Sequence, residues 1–357
     1  MKIDIECMRL EVRELILPNS NRFDNSNLKL SIGEEMLAAH GHPKFRKLLS
    51  ICIFTVFFLI LVGGLVRSTG SGLGCPDWPK CFGQYIPPTD ISQLPADYKD
   101  KFKVSGKVIA DFNPVKTWIE YINRLVGATT GILVFLMALA SSSYKNENKS
   151  IIYLSWATVF AVGFNGWLGS IVVSSNLKPV IITLHMLAAV VTIFLLLEAR
   201  VRSDENNLIF HLKKEIAAPL KKLALILIIL TFGQIILGTQ VREDIDHLSR
   251  DGVVRDLWVS KLGFEYLVHR SYSLLIVLGH VLLFRKVSKL SNVHSRIVGW
   301  TRFTCAIVLV NILSGLTLAY GGMPPAAQPV HLLFGLMLAC AQYFLFTLIS
   351  KSSALEE

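Results

Sequence analysis

NGWLGSIVVSSNLKPVIITLH, residues 165–185, and NILSGLTLAYGGMPPAAQPVH, residues 311–331, carry Asn, Gly, Pro and His at the same four places. Asn165 pairs with Asn311, Gly169 with Gly315, Pro179 with Pro325 and His185 with His331, always 146 apart. The same offset sets Asn123-Arg124 on His269-Arg270. Identity between these anchors is low, so the constant offset is what marks an internal repeat. GGLVR at 63–67 resembles GTQVR at 238–242, but at an offset of 175, which makes the loop after it 29 residues longer in the first copy. The chain therefore reads as two four-helix units, the second beginning near residue 221. Each unit has an even number of spans, so the repeat is parallel.

Composition sets the class. The 357 residues are 52% hydrophobic and 17% charged, with a mean hydropathy of +0.50, which excludes an ordinary soluble domain. Eight apolar stretches, near 48–67, 117–141, 151–173, 179–199, 221–241, 264–284, 298–319 and 329–350, are each long enough to cross a hydrocarbon core. The expected fold class is all-α integral membrane, with eight transmembrane helices in two repeated bundles. The expected divisions are a tail 1–47, a first bundle 48–200, a linker 201–220, a second bundle 221–350 and a tail 351–357.

The net charge of +10 raises nucleic acid as a partner, but the distribution argues for topology instead. Three inner loops hold 13 Lys/Arg in 50 residues, against 11 in 85 for the four outer loops, where acids such as Asp77, Asp90, Glu243 and Asp246 balance them. Lys44, Arg46 and Lys47 precede the first span. This is the positive-inside pattern with both termini cytoplasmic. Residues 1–43 lack an apolar core and so are not a signal peptide; they read as a cytoplasmic tail or as an overextended start upstream of Met36.

Six cysteines are present. Cys52, Cys305 and Cys340 fall in spans and read as packing residues; Cys7 is in the tail. Cys75 and Cys81 lie in GLGCPDWPKCFG (72–83) in the first outer loop, where Gly and Pro permit a tight return. On an oxidising face they read as a disulfide or a redox couple. Zinc is a weaker reading, because the loop offers no further Cys or His.

Polar residues inside spans cluster at one depth. His185 stands about six residues into its span, His331 about two, position 123 about six and His269 about five, so all four lie within roughly 10 Å of the outer ends. Two His at matched depth on neighbouring parallel helices can bind one haem iron from opposite sides; a lone intramembrane His would read as a helix–helix hydrogen-bond partner. Arg124 and Arg270 follow the ligand positions and could hold haem propionates or snorkel to headgroups. Glu120 and Glu265 share a helix face with positions 123 and 269 and could move protons or stabilise positive charge, or simply pair with the neighbouring Arg. His280, three turns beyond His269, reads as a packing or interface residue. His40, His42, His211, His247 and His294 sit in the tail or loops, and Trp118 with Tyr121 reads as an aromatic belt.

LVGGLVRSTGSGLGCPDWPKCFGQYIPP (61–88), EYINRLVGATTG (120–131) and the two late histidines together resemble the haem A synthase family, over about residues 48–350. The resemblance implies two four-helix domains. The C-terminal one would hold haem b, with its iron between His269 and His331 and with Arg270 beside it. The N-terminal one would receive haem O as substrate, with His185 an axial ligand, Arg124 and Asn123 beside it, and Glu120 as the catalytic carboxylate. Cys75 and Cys81 match a disulfide found in some members. The family commonly has His where this chain has Asn123, and a haem held by His185 alone would be five-coordinate. The implied activity is that of a membrane haem-dependent oxidoreductase, converting a ring methyl of haem O to the formyl group of haem A for terminal oxidase assembly, in a bacterial-type inner membrane. A diheme b-type electron-transfer subunit, or a haem transporter or chaperone, would also use a bis-His site; Glu120, the unequal halves and the first loop favour the enzyme. Expected partners are haem O and membrane lipid, with haem O synthase, oxidase assembly factors and an oligomer as further candidates, and no nucleic acid.

Overall fold

The computed structural model describes residues 42–204, 212–290 and 293–352. The readings of residues 1–41, including Cys7, Met36 and His40, and those of His211 and of residues 353–357, lie outside the described residues. Eight helices are long and apolar enough to cross a membrane: α1 (Pro43–Ser68), α2 (Pro114–Ala140), α3 (Lys149–Ser174), α4 (Pro179–Ser203), α5 (Lys214–Arg250), α6 (Phe264–Ser288), α7 (Ser295–Tyr320) and α8 (Ala327–Ser352). Proline opens α1, α2 and α4, where its missing N–H is one that no helix bonds. Asn113 and Asn148 cap α2 and α3, their side-chain oxygens accepting from the N–H of Lys116 and of Ser150, each at 3.1 Å.

Most of the helices outrun their apolar windows. The first begins at Pro43, so the tail boundary expected at 47 falls inside α1. The expected linker 201–220 is helical at both ends, because α4 continues to Ser203 and α5 starts at Lys214. Hydropathy registers only the part in hydrocarbon, about 30 Å, whereas the helix ladder continues into the interface on side-chain pairs. Arg202–Glu198 at 2.7 Å and Arg242–Asp246 at 2.6 Å are two such pairs. At 37 residues, α5 is roughly 55 Å long.

Helices α1 to α4 pack in a ring, each on the next and α4 back on α1, and α5 to α8 do the same. Leu49, Met137, Ile193 and Leu196 fill the first interior, and Leu220, Leu227, Leu283 and Leu345 the second. Beyond closing its own ring, α8 also packs on α1 and α4. Half of its apolar window is buried, against 17–28% for the other seven, so α8 is the helix both rings share. Phe54, Phe160 and Leu274 point outward and are exposed, which suits contact with lipid and would suit nothing in water.

The connection from α1 to α2 folds on its own small core. Cys75, Cys81, Phe82, Leu94 and Tyr98 are buried there, with Phe102, Ile109, Phe112 and Tyr121 packed around them. Cys75 and Cys81 are joined as a disulfide. Cys81 and Gln84 exchange backbone hydrogen bonds at 2.8 and 3.1 Å across Phe82 and Gly83, whose φ values are 53° and 75°. That is the backbone of a type I′ turn. The unfavourable Phe82 conformation is held by its ring, which meets Tyr98, Phe102 and Phe112 edge-on. It is held also by Asp77, whose carboxylate accepts from the N–H of Phe82 at 2.6 Å and of Gly83 at 2.8 Å.

Candidate functional site

Each of the four recurring intrahelical positions faces a glycine on the neighbouring helix. A Cβ added at Gly169 would stand 3.3 Å from Cε1 of His185, at Gly238 3.2 Å from that of His269, and at Gly315 3.4 Å from that of His331. At Gly63 it would stand 3.6 Å from Oδ1 of Asn123. The small residue lets each polar side chain turn inward along its neighbour. Both members of these pairs recur in the sequence, so the repeat was visible there, but the contact that explains the glycines was not.

In the second half the rings of His269 (α6) and His331 (α8) lie 6.2 Å apart, centre to centre, at 74°. Histidine nitrogen binds a transition metal at about 2.0–2.1 Å. With a ring nitrogen roughly 1.1 Å from its ring centre, two imidazoles in line on one ion would sit about 6.2–6.4 Å apart by that bond length. Two donors are too few for a bare zinc ion, which takes four, and are the axial set of a porphyrin iron. The residues present fit a haem. Nδ1 of His331 lies 2.9 Å from Oγ of Ser314, which orients the ring. Gln234 donates to the His269 carbonyl at 3.0 Å and its Nε2 lies 3.4 Å from Nε2 of His269, while Nδ1 of His269 and Oε1 of Gln234 are buried without a partner among the described residues. Arg270 is exposed, its guanidinium 5.8 Å from the Tyr266 ring. No hydrogen-bond partner engages it among the described residues, so its N–H groups are available to an anion.

The first half is built differently. His185 lies with Nδ1 3.1 Å from the Asn165 carbonyl; a carbonyl only accepts, so Nδ1 carries the proton and Nε2 keeps its lone pair. Asn123 stands where the second half has His269, with Oδ1 buried and unpartnered among the described residues. Glu120 is 3% exposed. Its Oε2 accepts from the Cys75 N–H at 2.9 Å and its Oε1 from Arg124 at 2.5 Å. Arg124 also donates to the carbonyls of Asp77 at 2.6 Å, Lys80 at 2.9 Å and Cys75 at 2.7 Å. Four of its five N–H groups are thereby engaged, so its geometry favours the ion-pair reading over propionate binding: Arg124 clamps the disulfide loop onto α2. Glu265, by contrast, is exposed.

A second charged cluster escaped the sequence reading. Asp246 on α5 accepts from Arg242, one turn before it, at 2.6 Å, and from Arg67 at the end of α1. Arg67 reaches Sδ of Met186, beside His185, at 3.2 Å; Arg242 reaches Gln328, three residues before His331. The signal was present, since Arg67 and Arg242 end GGLVR and GTQVR. Their shared carboxylate was not, because it lies in a stretch that reads as loop. His280 is buried in a separate polar knot, Nε2 3.2 Å from Nε2 of Gln342, which donates to Thr231 at 2.9 Å. Trp118 and Tyr121 meet edge-on at 5.7 Å.

Eight helices long and apolar enough to cross a membrane, with histidines recurring at matched positions in both halves, define a multi-pass helical membrane protein. The signature of the COX15-CtaA family, described as cytochrome oxidase assembly protein, matches residues 46–343, and this chain belongs to that family. It is 29% identical over 194 residues to a protein of Shewanella oneidensis named Heme A synthase, a match covering 54% of each chain. Proteins of the same name from Flavobacterium johnsoniae and Alkalihalophilus pseudofirmus match over 85% and 87% of this chain and 97% and 99% of their own, at 25% and 22% identity.

Proposed function

We propose that this chain is a haem A synthase, oxidising a ring methyl of haem O to the formyl group of haem A in a bacterial-type inner membrane with both termini cytoplasmic. The observation that carries this reading is the inequality of two otherwise repeated sites. One Glu is buried and held by two donors in the half with a single recurring histidine; its counterpart is exposed in the half with a histidine pair. The second half, residues 221–350, would hold haem b through His269 and His331, with Arg270 at a propionate, and the first, 48–200, the substrate through His185. Bound there, the porphyrin iron supplies the redox chemistry; oxygen and the electron acceptor come from outside the chain.

The protein's own residues do the rest. His185 presents a lone pair fixed by Asn165. Glu120 is buried, with Arg124 and the Cys75 N–H donating to its two carboxylate oxygens. A carboxylate has about four lone-pair sites, so two remain to accept a proton or to face positive charge developing at the porphyrin edge. The disulfide loop covers this end of α2 and keeps water from it. Co-expression with a haem O synthase, followed by pigment extraction, tests the reading: haem A should accumulate only when this chain is present. Haem O unchanged in its presence, with the chain inserted and pigmented, would point to an electron-transfer or carrier role.

A further inference from the structure

We infer that the first-half site keeps one axial position of its iron open, and that the Asn123 carboxamide lines this position and hydrogen-bonds a small exogenous ligand placed there. The inference rests on the reading that this half binds a haem. Three observations carry it. The repeat sets Asn123 on His269 and His185 on His331, and the packing repeats too, Gly63 meeting Asn123 as Gly238 meets His269. Asn123 thus occupies the place of the second imidazole in space as well as in sequence. Next, an amide does not replace that imidazole. Its side chain is one bond shorter, and carbonyl oxygen suits hard ions where imidazole suits iron. Finally, Asn123 Oδ1 is buried, with no hydrogen-bond partner among the described residues. Leaving a buried acceptor without a partner is costly, and a water held on the iron would satisfy it. Turned over, the same amide donates through Nδ2 to an anion or a diatomic.

The two halves would then divide by ligand access, the second closed by two histidines and the first reachable by small molecules. The test uses the full chain in detergent, loaded with iron protoporphyrin IX until both sites fill, with carbon monoxide as the probe after reduction by dithionite and azide as the probe after oxidation by ferricyanide. One haem per chain should bind carbon monoxide; that signal should vanish in His185→Ala and persist in His331→Ala. Asn123→His should convert the first-half haem to a low-spin form and weaken carbon monoxide binding at least 10-fold. Asn123→Leu, which keeps the site open but cannot hydrogen-bond, should bind carbon monoxide and release azide on the order of 10-fold faster. A haem that leaves in His185→Ala, yet is low-spin and inert to carbon monoxide in the unaltered chain, overturns the open position alone. A chain that takes up no second haem overturns the two-site reading beneath it as well.

Discussion

Glu120 and Glu265 precede the recurring ligand positions by three and four residues, and their surroundings separate them. Glu120 accepts from one donor in the folded loop, the Cys75 N–H, and one on its own helix, Arg124, whereas Glu265 is exposed. Glu120→Gln should lower haem O conversion by a factor on the order of 10²–10⁴, measured by pigment extraction, with the low-spin spectrum of the second half unchanged. The substitution does more than remove charge. One carboxylate oxygen becomes NH₂, which must face either Arg124 or the Cys75 N–H, donor against donor. Glu265→Gln should stay within about twofold of normal, having no buried donor to disappoint; near-normal conversion in Glu120→Gln with loss in Glu265→Gln would reverse the roles of the halves. At this scale the histidines were legible because a repeat multiplies a weak signal. The engagement of Arg124 was not, because its partners are mostly backbone carbonyls 44 to 49 residues away, and carbonyls leave no mark on a sequence.

Among the elements, the first loop departs furthest from its reading. Its cysteines, glycines and prolines announced a tight return, and the disulfide is there. Its aromatic core was not foreseen, since Phe82, Tyr98, Phe102 and Phe112 follow no helical or strand period. The loop meets α2 backbone to backbone at Gly74, where an added Cβ would lie 2.5 Å from the Lys116 carbonyl oxygen and 2.9 Å from Cα of Thr117. Neither contact can be relieved by a rotamer. Gly74→Ala should therefore lift the loop, costing about 1–3 kcal/mol, and with it the Cys75 N–H from Glu120. Thermal unfolding in detergent should fall, and conversion should fall further than stability alone explains. Normal values of both in Gly74→Ala would mean that the loop does not position Glu120.

For the whole molecule, what joins the halves matters as much as what each contains. The Arg67–Asp246–Arg242 bridge ties the end of α1 to α5, with each side chain about one-fifth exposed. Asp246→Asn removes the only negative charge between two arginines and should destabilise by about 2–3 kcal/mol, below the 3–5 kcal/mol of a fully buried pair. Adding Arg242→Gln should recover part of that loss; simple additivity of the two changes would show that they do not interact. Hydropathy foresaw the eight spanning helices, and the repeat reads as two units. Their joint was hidden, because pairing across some 180 residues has no local period.

The sharing of α8 between the rings bears on how the chain is made. Translation proceeds at about 5–20 residues per second, so α8 follows α1 from the ribosome by roughly 15–60 s at that rate. Until α8 arrives, the faces of α1 and α4 that it will cover must rest against lipid or an insertion partner, and the second four-helix ring stays open. A chain halted before residue 327 would hold His185 and His269 but not His331, and would present its uncovered seam to the membrane's quality-control proteases. Pulse-labelled chains ending just before and just after α8 should accordingly differ in lifetime far more than their difference in length suggests.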